Sequence, residues 1–395
     1  MEQEYTVEAD NVPAKIRITN ETEDYVPRYF FKRPGIEEAT GAFLESVQDQ
    51  LIDEVTLSTE EFVDSSELDD VKAKFREKAD ELIQEQLPNI DEDSKQILIG
   101  NLLHDMLGLG DLEILLNDEN LEELVINSAE EPVWAYHKTH GWLKTDITLE
   151  DEEQIKNYAS MIGRRVGKQI SNLNPLLDAH LPSGDRTNAT LSPISTQGNT
   201  ITIRKFARNP WTITDFIENN TLNAEVAALL WLCIHYEMNL IVSGGTGAGK
   251  TSLLGVLMPF IQPNHRIVSI EDTREIRLPE FLHWVPLTTR EPNPEGKGGV
   301  SMNDLLVNSL RMRPDRIIVG EIRREKQAEV LFEAMHTGHS VYSTLHADTA
   351  MQTIRRLINP PINVPKTLIE AVDLNVVMFR DRKRNIRRAM QVSEV

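Results

Sequence analysis

The sequence is poor in cysteine, in aromatic residues and in uninterrupted apolar runs. A single cysteine, Cys233, rules out an internal disulfide and any zinc site built on two or four thiolates, so a reducing compartment and no zinc are expected. No stretch is long and apolar enough to span a membrane, and the opening MEQEYTVEAD is too acidic for a signal peptide, so a cytoplasmic chain is expected. Internal repeats and low-complexity tracts are missing too. With aromatics at 6%, hydrophobic residues at 40% and charged residues at 26%, the 395-residue chain fits two or three folded domains rather than a disordered or membrane-integral protein.

Positive charge is scarce at the front. Residues 1–150 hold 37 acidic against 12 basic side chains, and the remainder 26 against 29, so the net charge of −22 belongs to the front end. Such a surface repels nucleic acid and anionic lipid. It suits a solvated helical layer, the plainer reading, or a face that meets a basic protein.

Along the chain, AKIRIT alternates like a short strand, and the region after Pro34 is acidic and helical in pattern. From Ser65 to Gln86, Val71, Phe75, Ala79, Leu82 and Ile83 recur at helical spacing until Pro88; a second helix starts near Asp91 and is punctuated by Gly108 and Gly110. Short β-like runs follow at Leu124–Asn127, Val133–His137 and Gly141–Ile147, then a helix from Glu150 to about Val166, then turns up to Thr200 and the strand ITIRKF. NPWTITDF reads as a linker. Beyond Asn223, helices alternate with the apolar runs NLIVSG, RIVSIED, DRIIVGE, SVYSTL and NVVMF, the pattern of a parallel sheet covered on both faces. The closing IRRAMQVSEV reads as a further strand, and the chain is expected to stop short of a natural terminus.

Gly244-Gly245-Thr246-Gly247-Ala248-Gly249-Lys250-Thr251, followed by Ser252, fits G-x-x-x-x-G-K-[ST] and lies between an apolar strand and a helical run. Glycines let the backbone wrap phosphates closely, the loop amides and helix N-terminus supply positive potential, Lys250 reaches the terminal phosphates, and the Thr251 hydroxyl can ligate Mg²⁺. A turn that merely joins a strand to a helix would not need every one of these letters. Carboxylates at strand ends, where a parallel sheet forms its ligand crevice, then suggest the chemistry. Glu271 and Asp272 end one strand, with Glu275 a turn further on; Glu321 ends another, behind Gly320, which stands where many P-loop enzymes place a metal-holding aspartate. One carboxylate is expected to hold the Mg²⁺ hydration shell and the other to orient or deprotonate the attacking water.

His336, His339 and His346 cluster in AMHTGHSVYSTLHAD. Their spacing does not set all the rings on one helix face, and neither an H-E-x-x-H pattern nor a cysteine set accompanies them, so zinc is disfavoured. An imidazole donating to a phosphate or to a catalytic carboxylate fits better.

Taken together, GGTGAGKTS, SIEDTRE, RMRPDRIIVGEIR and TGHSVYSTLHAD resemble the Walker A, acidic-box, Walker B and histidine-box segments of the secretion and type IV pilus assembly ATPases, in an archaeal-type branch. NPLLDAHLPSGDRTNATLSPIS and ITIRKF resemble the second half of that family's amino-terminal domain, and the likeness runs from about Ile97 onward. The resemblance implies an α/β chain with four parts: an acidic, mainly helical region (1–118), a small α/β, PAS-like domain (119–210), a linker (211–222) and a RecA-like P-loop domain (223–395). It also implies an ATP-hydrolysing motor with Mg²⁺, working as a hexameric ring against a polytopic membrane platform protein at the inner face of the cytoplasmic membrane. Glu271 and Glu321 take the acidic-box and Walker B roles, His339 and His346 the histidine-box roles, and His346 is the candidate for sensing the terminal phosphate. Arg186 and Arg204 match the amino-domain arginines that stabilise charge on the transferred phosphate, and Arg290 lies before Walker B. The single cysteine departs from bacterial members that bind zinc through four.

Two other classes stay open at this stage: a RecA-like nucleic-acid motor, which the acidic front disfavours, and a nucleotide-dependent scaffold, which the paired glutamates disfavour. A GTPase lacks support without N-K-x-D, and an ATP-binding cassette lacks support without L-S-G-G-Q.

Overall fold

The computed structural model divides into two compact units, residues 1–207 and 208–395, and each is described by itself. The described residues are 2–20, 25–33, 38–54, 68–181, 184–206, 210–290, 292, 296–381, 383–384 and 386–395. Pro34 and Ser65, where two helices were expected to start, Ser183 of the SGDR segment and Asn209 of the expected linker lie outside them.

The first unit is built on β1 (Glu2–Ala9), β2 (Val12–Thr19), β3 (Arg28–Lys32), α1 (Glu38–Glu54), α2 (Leu68–Gln86), α3 (Glu92–Leu107), α4 (Leu112–Asn117), β4 (Leu121–Ile126), β5 (Trp134–His137), β6 (Gly141–Thr145), α5 (Glu152–Arg165), β7 (Leu176–His180), β8 (Arg186–Thr190) and β9 (Thr200–Arg204). Its nine strands form one sheet in the order β1-β2-β3-β6-β5-β4-β9-β8-β7. The acidic front therefore does not stand apart at residue 118. Its first three strands extend the sheet of the middle layer, β3 pairing with β6 in parallel. Strand β2 alternates as a half-buried strand should, with Val12, Ala14, Ile16 and Ile18 inward. The turn before it, Asp10-Asn11, takes positive φ at both residues (46° and 69°), as a two-residue hairpin requires.

Helices α1–α3 bury their own cluster, including Val47, Leu51, Phe75, Ile83 and Ile99. Asp10 docks this layer on the hairpin. Its carboxylate accepts from Lys72 and Arg76 of α2 and stands 3.5 Å from His104 of α3. The approach is close enough that a Cβ on Gly100 would meet the Asp10 carbonyl at 2.3 Å. Contact with His104, against the opposing effect of burial, holds the Asp10 carboxyl down at about 2.

The second unit contains α6 (Ile213–Glu218), α7 (Ala224–His235), β10 (Leu240–Gly244), α8 (Lys250–Leu257), β11 (Ile267–Glu271), β12 (Trp284–Thr288), α9 (Met302–Ser309), β13 (Arg316–Val319), α10 (Glu325–His336), β14 (Ser340–Leu345), α11 (Ala350–Ile358), β15 (Leu374–Asp381) and β16 (Ile386–Glu394). The strand order is β12-β11-β13-β14-β10-β15-β16, parallel except for β16. Strand β10 is buried throughout and feeds two cores, Leu240 and Val242 facing α7 and α8 while Ile241 faces α9 and α10. Parallel strands buried on both faces read as continuous apolar runs, which is why these were visible in the sequence. Part of the expected linker is a helix: Thr212 and Asp215 form a capping box on α6, and Phe216 packs into the core of this unit. Among the described residues no helix is long and apolar enough to cross a membrane.

Candidate active site

Parallel pairing brings the carboxyl ends of β10, β11, β13 and β14 to one edge, so the segments that follow them meet there. The loop after β10 is shaped by glycine. Gly244, Gly247 and Gly249 take φ of 152°, 69° and 93°, values closed to most side chains, and Gly249 passes directly into the N-terminus of α8. Lys250 opens that helix and folds back, its ammonium donating to the Gly245 carbonyl at 3.2 Å. Thr251 and Ser252 follow in the same first turn. Burial lowers the ammonium's proton affinity, and the carboxylates of Glu321, Glu275 and Asp348 oppose that shift.

From Lys250 a polar chain runs across the strand tips. The ammonium is 3.5 Å from His346 Nδ1, and His346 Nε2 is 3.5 Å from Glu321 Oε1. Glu321 Oε2 accepts from Arg323 at 2.7 and 2.8 Å, and Arg323 Nη1 donates to Asp272 at 2.7 Å. The Thr289 hydroxyl donates to the same Asp272 carboxylate at 3.3 Å. Burial, followed by the neighbouring Lys250 ammonium, keeps the His346 imidazole below its ordinary range. A neutral ring facing an ammonium through Nδ1 must accept there, which leaves Nε2–H to donate toward Glu321.

Glu271 sits differently. Its side chain is buried, and it accepts from the backbone N–H groups of Glu275 and Ile276 at 3.1 and 3.2 Å. Burial raises its carboxyl to about 8. Gly320 makes room for it: a Cβ there would lie 3.3 Å from Glu271 Cγ. An aspartate in place of Gly320 would bring a second carboxylate against the first, which accounts for the glycine where a metal-holding acid was looked for.

The structure does not bring the other histidines to the loop. His339 precedes β14 and His346 follows it, so the strand separates them; His339 pairs with the Ala334 carbonyl and Thr337 at the end of α10, and His336 is exposed there. Arg290 bridges to Val300 and donates to the Gly298 carbonyl. In the first unit Arg186 and Arg204 are cross-strand partners on β8 and β9, and Arg186 grips Asp178 through two hydrogen bonds at 2.8 and 3.2 Å.

A cavity of about 480 Å³ adjoins the loop, lined by Gly245, Thr246, His346, Asp348, Gln352 and Arg356 among others. The last two lie on α11, held to β10 and β15 by a buried triangle of Ser243, Thr353 and Asn375 with contacts of 2.6 to 3.2 Å. Sequence reasoning passed over Arg323, Gln352 and Arg356. Position alone signalled them, Arg323 two residues after Glu321 and the others one helix after His346.

A phosphate loop on a central parallel strand, with an imidazole and carboxylates on neighbouring strand tips, defines a RecA-like P-loop domain. Residues 113–384 match the family described as Type II/IV secretion system protein, and the chain belongs to that family. It is 42% identical to the uncharacterized protein MJ0900 of Methanocaldococcus jannaschii over 299 residues, covering 74% of this chain and 53% of that one. It is 30% identical to the type IV secretion system protein PtlH of Bordetella pertussis, covering 69% of this chain and 89% of PtlH. The chain spans about half the length of MJ0900 and 32% of a second relative, MJ0781 of the same organism. In fold it resembles the ATPase DotB of Legionella pneumophila (TM-score 0.53, 21% identity, 70% of this chain and 77% of DotB). The pilus retraction motor PilT is similar in the same way (TM-score 0.51, 22% identity, 68% of this chain and 77% of PilT).

Proposed function

We propose that the chain is an ATP-hydrolysing motor subunit of a secretion or type IV pilus-like machine, the archaeal swimming filament included. The observation that supports this most directly is the continuous contact from Lys250 through His346 and Glu321 to Arg323 and Asp272, which joins the segments after β10, β14, β13 and β11 into one site. Lys250 binds the terminal phosphates, Glu321 orients or deprotonates the attacking water, and His346 reports on the phosphate by exchanging its contact with Lys250. Glu271, buried beside Gly320 at the end of β11, supports the same edge and takes the acidic-box role.

The Thr251 hydroxyl and the Glu321 carboxylate are both oxygen donors and suit a hard cation such as Mg²⁺ held mainly through water. When bound, such an ion would supply positive charge to offset that of the nucleotide phosphates. Arg186 and Arg204 are proposed as the arginines that stabilise phosphate charge, and a hexameric ring acting on a polytopic platform protein from the cytoplasmic face of a membrane is proposed as the working assembly.

The test is ATP turnover by the purified chain with Mg²⁺. Lys250→Ala is expected to lower it by about 100-fold or more, since hydrolysis depends on charge stabilisation at the phosphates. A variant as fast as the parent would remove the reading.

A further inference from the structure

The phosphate loop is held from its other flank by a part of the chain that no nucleotide motif covers. In the sheet, β13 and β14 lie on one side of β10, and β15 and β16 on the other. Each positive-φ glycine of the loop meets this second flank. A Cβ on Gly244 would fall 2.5 Å from the Met378 carbonyl; one on Gly247, 2.5 Å from Arg380 Nη1; one on Gly249, 3.7 Å from Met378 Cε and 3.8 Å from Arg387 Cδ. Arg387 Nε also donates to the Gly247 carbonyl at 3.1 Å. The loop is thus glycine-rich on account of the hairpin behind it as well as the phosphates within it.

Arg380 and Arg387 are direct cross-strand partners. Two like charges opposite each other on one face of an antiparallel pair repel, so the arrangement disfavours the hairpin unless something anionic or carbonyl-rich lies against it. Here that neighbour is the tip of the phosphate loop. The hairpin is set in place independently: the register shifts between Val377 and Met378, where Met390 of β16 is the extra, unpaired residue and re-aims the start of β16, and Asp381 accepts from the backbone N–H groups of Lys383 and Arg384 to close the turn. Arg388, one residue beyond Arg387 and therefore on the opposite face, donates to the Asn219 carbonyl instead.

We propose that Arg380 and Arg387 form a two-pronged brace on the tip of the phosphate loop that sets its affinity for the phosphate chain of a nucleotide. Arg387 is a positioning residue, fixing the Gly247 peptide so that the loop amides stay aimed inward, and both guanidiniums add positive charge beside the phosphates. The proposal rests on the nucleotide reading of the loop. Because the carboxylates and His346 lie on the opposite flank of β10, the brace acts on binding and leaves the hydrolytic step untouched.

The test uses the full chain with Mg²⁺, titrated with a fluorescent ADP analogue and assayed for ATP turnover. Arg387→Ala and Arg380→Ala are each expected to raise Kd and KM by about tenfold with kcat within about twofold, as befits loss of a charge-assisted contact. Arg387→Lys, which keeps the charge but loses the directed Nε–H, recovers part of the affinity, and Arg388→Ala leaves Kd and KM unchanged. Parental Kd in both alanine variants, with the parent itself binding and hydrolysing, overturns the brace and leaves the site reading standing. A fall in kcat at unchanged KM overturns it equally. A parent that binds no more analogue than Lys250→Ala defeats both.

Discussion

His346 Nε2 stands 3.5 Å from Glu321 Oε1 while the opposite ring nitrogen stands 3.5 Å from the Lys250 ammonium. One ring therefore spans the cation proposed to bind phosphate and the carboxylate proposed to orient water. Removing it in His346→Ala should lower ATP turnover by about 10- to 100-fold, in the range of a general acid–base contribution, with nucleotide affinity changed by less than about threefold. The pH profile carries a sharper signature. Burial and Lys250 both disfavour the imidazolium, so its contribution should persist below the ordinary imidazole range near pH 6.5 and fail only at lower pH, when the protonated ring repels Lys250. Steady-state rates between pH 5 and 8 check this, and an acid limb at or above 6.5 that vanishes in the variant contradicts it.

Glu271 gives the opposite sign. Its carboxyl rises from an ordinary 4.5 to about 8 on folding, so the folded state binds the extra proton between those values. Stability is then unaffected by this group below about pH 4.5 and declines as pH rises toward 8. Glu271→Gln keeps an oxygen for the Glu275 and Ile276 amides and cannot ionise. It should raise stability at pH 8 by on the order of a few kcal/mol relative to pH 5 while lowering turnover. Urea unfolding at the two pH values measures the difference, and a parallel pH dependence in parent and variant would refute it.

Arg323 ties Glu321 and Asp272 together, yet its side chain is 57% exposed. Exposed ion pairs are worth at most about 1 kcal/mol, so Arg323→Ala should barely change unfolding. Turnover should fall by about tenfold, because the carboxylate proposed to orient water loses both hydrogen bonds that Arg323 donates to its Oε2. Equal losses of stability and rate would mean that the contact is merely structural.

How much of this was readable beforehand follows from what constrains each residue. The glycine-rich loop was legible because the phosphate-loop pattern sets glycine, lysine and a hydroxyl at fixed spacing, and β10, β11, β13 and β14 were legible because burial on both faces leaves mostly apolar letters. Strands β7 and β8 were passed over as turns. Their inward positions include Ala179, Thr187 and Ala189, too small or polar to print an alternation, although all three are buried. Strand β1 hid behind its outward glutamates Glu4 and Glu8, and β12 behind Pro286. The pairing of Arg380 with Arg387 depends on a bulge and a turn, which no linear spacing reveals.

The buried triangle beneath the loop offers a test of how α11 is held. Ser243 donates to Asn375 at 2.6 Å and meets Thr353 at 2.8 Å, and Asn375 donates to Thr353 at 3.2 Å. Thr353 also donates to the Thr349 carbonyl. Thr353→Val preserves shape and removes the hydroxyl, leaving the Asn375 amide short of an acceptor where water does not reach. Such a loss costs about 1–3 kcal/mol, whereas Thr353→Ser keeps the oxygen and should cost about 1 kcal/mol for the missing methyl. Since α11 carries Gln352 and Arg356 to the cavity wall, Thr353→Val should also weaken nucleotide binding and Thr353→Ser should not. Urea unfolding and nucleotide titration of the two variants separate the outcomes: equal behaviour of valine and serine would show that packing alone, and not the hydrogen-bonded triangle, fixes α11 against the phosphate loop.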